Sequence, residues 1–217
     1  MTDRSWAVAV ALAAALCARA AAAVGRDGQG RISLEGGITW VPDGPFTQNA
    51  RAAGYDVEQS YALGPVAVAS FGYWVDQHFE LSLEGGYQDD GYRVRGRSNL
   101  TLDSEILMAT LRWTFIGGYK FWPYVGLSFG YSFNDVSSPF SAPWNSWSAV
   151  GFGEAAELGL GLDLSDRFGV SLELRYTLAI LQTPLPSSLN AGGLSLMLGV
   201  YLRLPRAPET NVIQPSP

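Results

Sequence analysis

Lysine is almost missing from this chain. Of 14 basic residues only Lys120 is a lysine, and histidine and cysteine occur once each, as His78 and Cys17. Lysine normally sits in water, so its scarcity indicates that much of the surface does not face water. A lone cysteine excludes an internal disulfide and a thiolate metal cluster. A lone histidine obliges any Ser–His or His–metal scheme to use His78. Long apolar runs are also missing: the longest, Trp6 to Ala18, has 13 residues, too few for a helix to cross a bilayer.

That run follows Arg4 and precedes the small residues Ala20 to Ala23. This is the layout of a secretory signal peptide over residues 1–23, cut near Ala22 or Ala23. Cys17 is then discarded with the leader. A lipidated cysteine is the other reading, against which Leu16 stands where a small residue is wanted. Removing 1–23 leaves 12 basic and 19 acidic residues, a net charge of −7, which argues against a nucleic-acid partner. Residues 24–30 are a lead-in. Residues 205–217, "PRAPETNVIQPSP", hold four prolines in 13 positions and are expected to be a disordered tail.

Between those ends the hydrophobic period is two, the period of strands. Leu194, Leu196, Leu198, Val200, Leu202 and Leu204 share one face, and Gly193, Ser195, Met197, Gly199, Tyr201 and Arg203 the other. Phe168, Val170, Leu172, Leu174, Tyr176 and Leu178 oppose Ser171, Glu173, Arg175 and Thr177. The pattern predicts eight strands near 31–41, 62–75, 79–89, 104–115, 121–133, 149–163, 168–181 and 192–204. The second, "ALGPVAVASFGYWV", is apolar at both parities and leaves its faces open. Short connections alternate with longer polar ones, which describes an up-and-down meander.

Volume decides which face is inside. The apolar face carries about 40 large side chains, whereas an eight-stranded lumen is only just wide enough to be filled. The Gly- and Ser-rich face fits inside, so the apolar face turns toward lipid. Aromatic residues are expected to form two belts. Phe79, Phe115, Tyr119, Phe121, Trp122 and Phe168 cluster near the short turns. Trp40, Tyr87, Tyr131, Phe133, Trp144 and Trp147 lie near the long loops. The fold class is therefore all-β, an eight-stranded antiparallel up-and-down transmembrane β-barrel over 31–204. On this pattern the chain resembles the eight-stranded OmpA-like and OmpW-like outer-membrane barrels of Gram-negative bacteria. The resemblance implies an outer-membrane location, and as partners outer-membrane lipid, lipopolysaccharide and the barrel-assembly machinery. A monomer is expected.

The same register places Glu35, Glu80, Glu84, Arg112, Glu157, Glu173, Arg175 and Arg203 in the lumen. Buried carboxylates are costly unless paired, so a salt-bridged plug is expected, with a polar conduit as the other reading. Arg112 should neighbour Glu84, and Arg203 should neighbour Glu35 and either Glu173 or Arg175. The repeated "SLEGG" of Ser33–Gly37 and Ser82–Gly86, echoed at Val170–Tyr176, puts Glu35, Glu84 and Glu173 at similar heights. Its second glycines face the lumen.

Arg93, Arg95 and Arg97 lie on one face of a long loop if it is extended. They could contact lipopolysaccharide phosphates, since guanidinium binds such groups bidentately, or form a solvated rim beside Asp89 and Asp90. "GFGEAA" (Gly151–Ala156) has the spacing of a dinucleotide-binding turn. It runs on into alternating leucines rather than a helix, so it is read as strand. Asp89-Asp90-Gly91 lacks the spacing of a calcium loop, and no metal or cofactor is expected. The expected function is non-enzymatic: a structural or surface-interaction role through the long loops. A narrow channel or transporter for small or hydrophobic solutes is the alternative, and a lipid A-modifying enzyme a distant third.

Overall fold

The computed structural model describes residues 28–41, 48, 51–52, 63–92, 100–115, 120–137, 146–181 and 189–204. The leader, the tail, Cys17, Arg93, Arg95, Arg97, Tyr119 and Trp144 lie outside the described residues. The strands are β1 (Gly30–Trp40), β2 (Gly64–Trp74), β3 (Phe79–Tyr92), β4 (Leu100–Thr114), β5 (Phe121–Ser137), β6 (Trp147–Asp163) and β7 (Phe168–Leu181). They are followed by a two-residue β8 (Leu189–Asn190) and by β9 (Leu194–Arg203). Every pairing is antiparallel, sequence neighbours pair in turn, and β9 joins β7 to β1, closing eight long strands into a barrel.

Strands β3 to β6 run several residues past the predicted ends at the loop side. The β3–β4 ladder continues to Tyr92–Leu100, and the β5–β6 ladder to Val136–Trp147. The sequence there turns polar (Asp89, Asp103, Asp135), which hides the strand period although the backbone pairing continues. At the other end the connections are tight. Between β2 and β3 the carboxylate of Asp76 accepts the backbone N–H groups of His78 and Phe79, at 2.7 and 2.8 Å.

The register fixes the shape. A row of paired residues starts at Phe168 and passes Leu202, Ile32, Phe71, Leu83, Ala109, Phe129 and Glu154. It returns to β7 at Leu178, ten residues along. With a rise of ~3.3 Å per residue and a strand spacing of ~4.8 Å, that stagger tilts the strands by about 40° and sets the backbone radius near roughly 8 Å. Moving one residue along a strand then climbs about 2.5 Å, and stepping one strand along the row climbs about 3 Å.

Burial alternates along each strand, with the apolar set outside: Leu34 is 61% exposed, Leu198 69% and Phe152 53%. The unassigned strand, β2, buries Val66, Val68, Ser70, Gly72 and Trp74 and turns Pro65, Ala67, Ala69, Phe71 and Tyr73 outward. Its apolar inward residues explain why its faces could not be read. Exposed or half-buried Phe79, Trp113, Phe115, Phe121 and Phe168 ring the turn end, while Tyr87, Tyr131 and Phe133 stand near the loop end. The two rings are about 25 Å apart, the height of the apolar band of an outer-membrane barrel. Trp122 is a correction: it is fully buried inside the barrel rather than part of a belt. It follows outward-facing Phe121, and neighbours along a strand point to opposite faces.

The two glycines of the first SLEGG differ in what they permit. A Cβ on Gly37 would lie 2.0 Å from the carbonyl oxygen of Leu196, whereas one on Gly36 would meet nothing closer than 3.9 Å. Gly37→Ala should therefore destabilise the barrel by about 1–3 kcal/mol and Gly36→Ala should not. Urea midpoints of the refolded variants, followed by the heat-dependent gel shift of a folded barrel, measure the difference.

Candidate functional site

The lumen is filled in layers, and the residues that fill it come from all eight long strands. At the turn end Trp74, Trp122, Tyr124 and Tyr201 form one buried aromatic cluster. The rings of Trp74 and Trp122 meet edge to face at 5.7 Å, and the Trp122 indole N–H donates to the Tyr201 hydroxyl at 3.2 Å. Glycines seat these rings: a Cβ on Gly159 would lie 2.1 Å from Tyr124, and one on Gly161 2.2 Å from Trp122. The alternating "LGLG" of β6 thus supplies leucines to the outside and ring-sized gaps to the inside, and no dinucleotide turn forms there.

Above the rings lies the charge cluster. Arg31 donates to Glu80 at 2.8 Å and lies over the rings of Trp122 and Tyr201, 5.6 Å from each centroid, within cation–π reach. Arg112, on β4, pairs with carboxylates from three strands. It binds Glu84 and, at 3.4 Å, Glu80 on β3, Glu157 on β6 at 2.9 Å, and Glu173 on β7 at 3.5 Å. Arg175 meets Glu84 at 2.7 Å and both Glu157 and Glu173 at 2.9 Å. Hydroxyls complete the set: Tyr124 donates to Glu173 and Ser128 to Glu157, both at 2.7 Å. These four glutamates and Glu35 are all buried, with no more than 4% of any exposed.

An apolar layer of Val66, Val68 and Met197, with Ile106 packed against it, lies on the loop side of the charges. Beyond it the mouth combines polar pairs with the buried side chains of Leu102, Val136 and Leu181. Ser104 donates to Asn134 at 2.7 Å, Ser195 to Thr39 at 3.1 Å, and Gln88 reaches both Asp90 and the carbonyl of Ala191.

Seven of the eight sequence-predicted lumen residues therefore fall in one layer, and Arg112 does meet Glu84. Glu35, Glu84 and Glu173 lie within about 3 Å of one another in height. Glu35 differs in accepting only a 3.4 Å hydrogen bond from Ser171. Arg203 corrects the expected neighbours. It lies at the turn end and binds Asp163, at 2.6 Å to one carboxylate oxygen, and is opposite Arg31 rather than Glu35. The expectation matched strands without counting register, and Glu35 lies opposite Gly199 instead. Arg31, Asp163 and Trp74 were not singled out from sequence, and Trp122 was expected in the outer belt. Arg31 shares the parity of Glu35, and Asp163 that of Glu157, so carrying the alternation to the strand ends would have found both.

His78 lies in the β2–β3 turn, its Nδ1 2.8 Å from the Thr114 carbonyl and its ring stacked on Trp113 at 5.4 Å. The loop arginines Arg93, Arg95 and Arg97 lie outside the described residues.

This closed, all-antiparallel barrel has known counterparts in fold. The outer membrane protein beta-barrel domain family matches residues 8–201. The chain belongs to that family. Its barrel is accordingly that of a bacterial outer-membrane protein. Neisserial surface protein A (NspA) has a similar solved structure, with a TM-score of 0.57 at 13% identity, covering 82% of this chain and 98% of that one. Ail, the attachment invasion locus protein of Yersinia pestis, solved with the heparin analogue sucrose octasulfate, gives 0.50 at 14% identity over 81% of this chain and 98% of that one. A search of curated proteins gives no match. At such identities the likeness is one of fold.

Removing one partner of a buried ion pair costs about 3–5 kcal/mol, and Arg112 serves four carboxylates. Arg112→Gln should lower barrel stability by at least that range. Glu35→Gln, whose amide oxygen can still accept the one long hydrogen bond from Ser171, should change it by less than about 1 kcal/mol. Equilibrium unfolding in detergent micelles distinguishes the two.

Proposed function

We propose that this protein is a non-enzymatic outer-membrane barrel with a closed lumen, acting at the cell surface through the longer connections at its loop end. Closure of the lumen carries this reading. A conduit needs a continuous polar path, and here the charge cluster lies between the Trp74–Trp122–Tyr201 rings on one side and Val66, Val68 and Met197 on the other. The guanidiniums are held by carboxylates rather than offered to a passing solute. A catalytic His78 is disfavoured because its ring nitrogen is tied to a backbone carbonyl at the turn end, away from the outer leaflet.

At the loop end, the Arg93, Arg95 and Arg97 segment between β3 and β4 is the part of the chain suited to lipopolysaccharide phosphates, which guanidinium binds in pairs of charge-assisted hydrogen bonds. Planar-bilayer recording of the wild-type barrel should show no discrete conductance, and steady openings would favour the channel instead. Replacing all three loop arginines with glutamine should weaken lipopolysaccharide binding, read by co-purification, and leave barrel stability unchanged.

A further inference from the structure

Strand β6 carries Glu154 and Glu157, three residues apart, and the alternation sends them to opposite faces. Glu157 joins the lumen cluster. Glu154 is exposed on the outer wall, in register between Phe129 of β5 and Leu178 of β7. Phe152 and Ala156 are its same-face neighbours along β6. Phe152 is 53% exposed and Ile180, beyond Leu178 on β7, is 60% exposed, so apolar wall continues above the carboxylate. Among the described strand residues no arginine or lysine shares this face: Arg31, Arg112, Arg175 and Arg203 are lumenal.

Register also gives the depth. Glu154 stands one strand below Leu178 on the climbing row, hence about 3 Å lower, and within about 2 Å of the height of Tyr87 and Tyr131. That is the lower edge of the loop-side aromatic belt, whose Phe133 stands about 7 Å higher, where hydrocarbon begins to give way to headgroups. The other outward carboxylates of the tall wall, Glu105, Asp89, Asp103 and Asp135, stand higher. A charge on the lipid-facing wall is unfavourable by an amount that depends on depth, and an ionisable group held there calls for a partner.

We propose that Glu154 binds the headgroup of an outer-leaflet saccharide lipid, accepting hydrogen bonds from the amide N–H and hydroxyl groups of a glucosamine-type headgroup. The acyl chains of that lipid run down the wall beneath it. Ala156 lies directly below Glu154 in register with Leu127 and Tyr176, and its side chain is smaller than either. Depth favours a headgroup over a mid-membrane partner. The missing complementary cation on this wall disfavours a second copy of the chain. The site is independent of the loop arginines.

The full-length wild type, E154L and E154A are refolded into vesicles of phosphatidylcholine alone, with added phosphatidylethanolamine, or with added lipopolysaccharide. The thermal midpoint of the folded band and the lipopolysaccharide retained after gel filtration are then measured. Lipopolysaccharide should raise the wild-type midpoint, and its apparent affinity should fall about tenfold in E154L, the scale of losing a hydrogen bond to a charged group. In phosphatidylcholine alone E154L should be at least as stable as wild type. The Glu154-dependent part of the binding should persist when Arg93, Arg95 and Arg97 are glutamine, which separates this site from the loop reading. Should E154L not refold, E154A carries the same comparison. Equal lipopolysaccharide binding by wild type and variant overturns the proposal. So does an equal response to phosphatidylethanolamine, which assigns an ammonium partner, or a Glu154-dependent cross-linked dimer, which assigns a protein one.

Discussion

Arg112 and Arg175 hold the barrel's interior together. Both guanidiniums lie in the middle of the lumen and each is within 3.5 Å of carboxylates from β3, β6 and β7. An ion pair withdrawn from water stabilises only if its geometry is good and its remaining donors and acceptors are met. The flanking layers follow from that requirement. Trp122 and Tyr201 cover Arg31 from the turn side, Tyr124 and Ser128 satisfy carboxylate oxygens, and Val66, Val68 and Met197 cover the loop side. The glycines of β6 give the rings room to lie across the lumen.

The outer wall obeys the opposite rule. There the solvent is hydrocarbon, backbone polar groups must be met within the sheet, and only a closed ladder achieves this. The stagger of ten residues around the barrel sets the tilt of the wall strands, and the aromatic rings mark both edges. One side, β3 to β6, continues past the upper edge and turns acidic at Asp89, Asp103 and Asp135, which are paired in register across adjacent strands. The barrel therefore presents an uneven rim: a tall acidic wall on one side, and on the other shorter strands ending at Trp40 and Leu181.

Most of this was legible because lipid and lumen impose strict alternation. Strand number, the outward apolar face and the lumenal placement of Glu80, Glu84, Arg112, Glu157, Glu173 and Arg175 all follow from period two. What was not legible came from places where alternation stops distinguishing the faces. β2 places valines inside as well as alanines and a phenylalanine outside, because its lumenal residues belong to the apolar and aromatic layers. Trp122 is an aromatic residue in a lumen otherwise rich in small residues. Arg203 was assigned its neighbours by strand adjacency alone, but a tilted barrel offsets adjacent strands, and its partner Asp163 is found only by counting register through β7.

The charge cluster bears on the order in which the barrel assembles. Arg112 belongs to β4, whereas two of the carboxylates it binds, Glu157 and Glu173, come from β6 and β7, beyond its own hairpin. A sheet of the first four or five strands, open at its edge, exposes that guanidinium with only β3 to neutralise it. The full set of partners converges only once the sheet has curled enough for β3 and β4 to face β6 and β7 across the lumen. The interior ion pairs thus depend on the curl of the sheet, and a flat sheet of the same strands leaves both guanidiniums short of carboxylates.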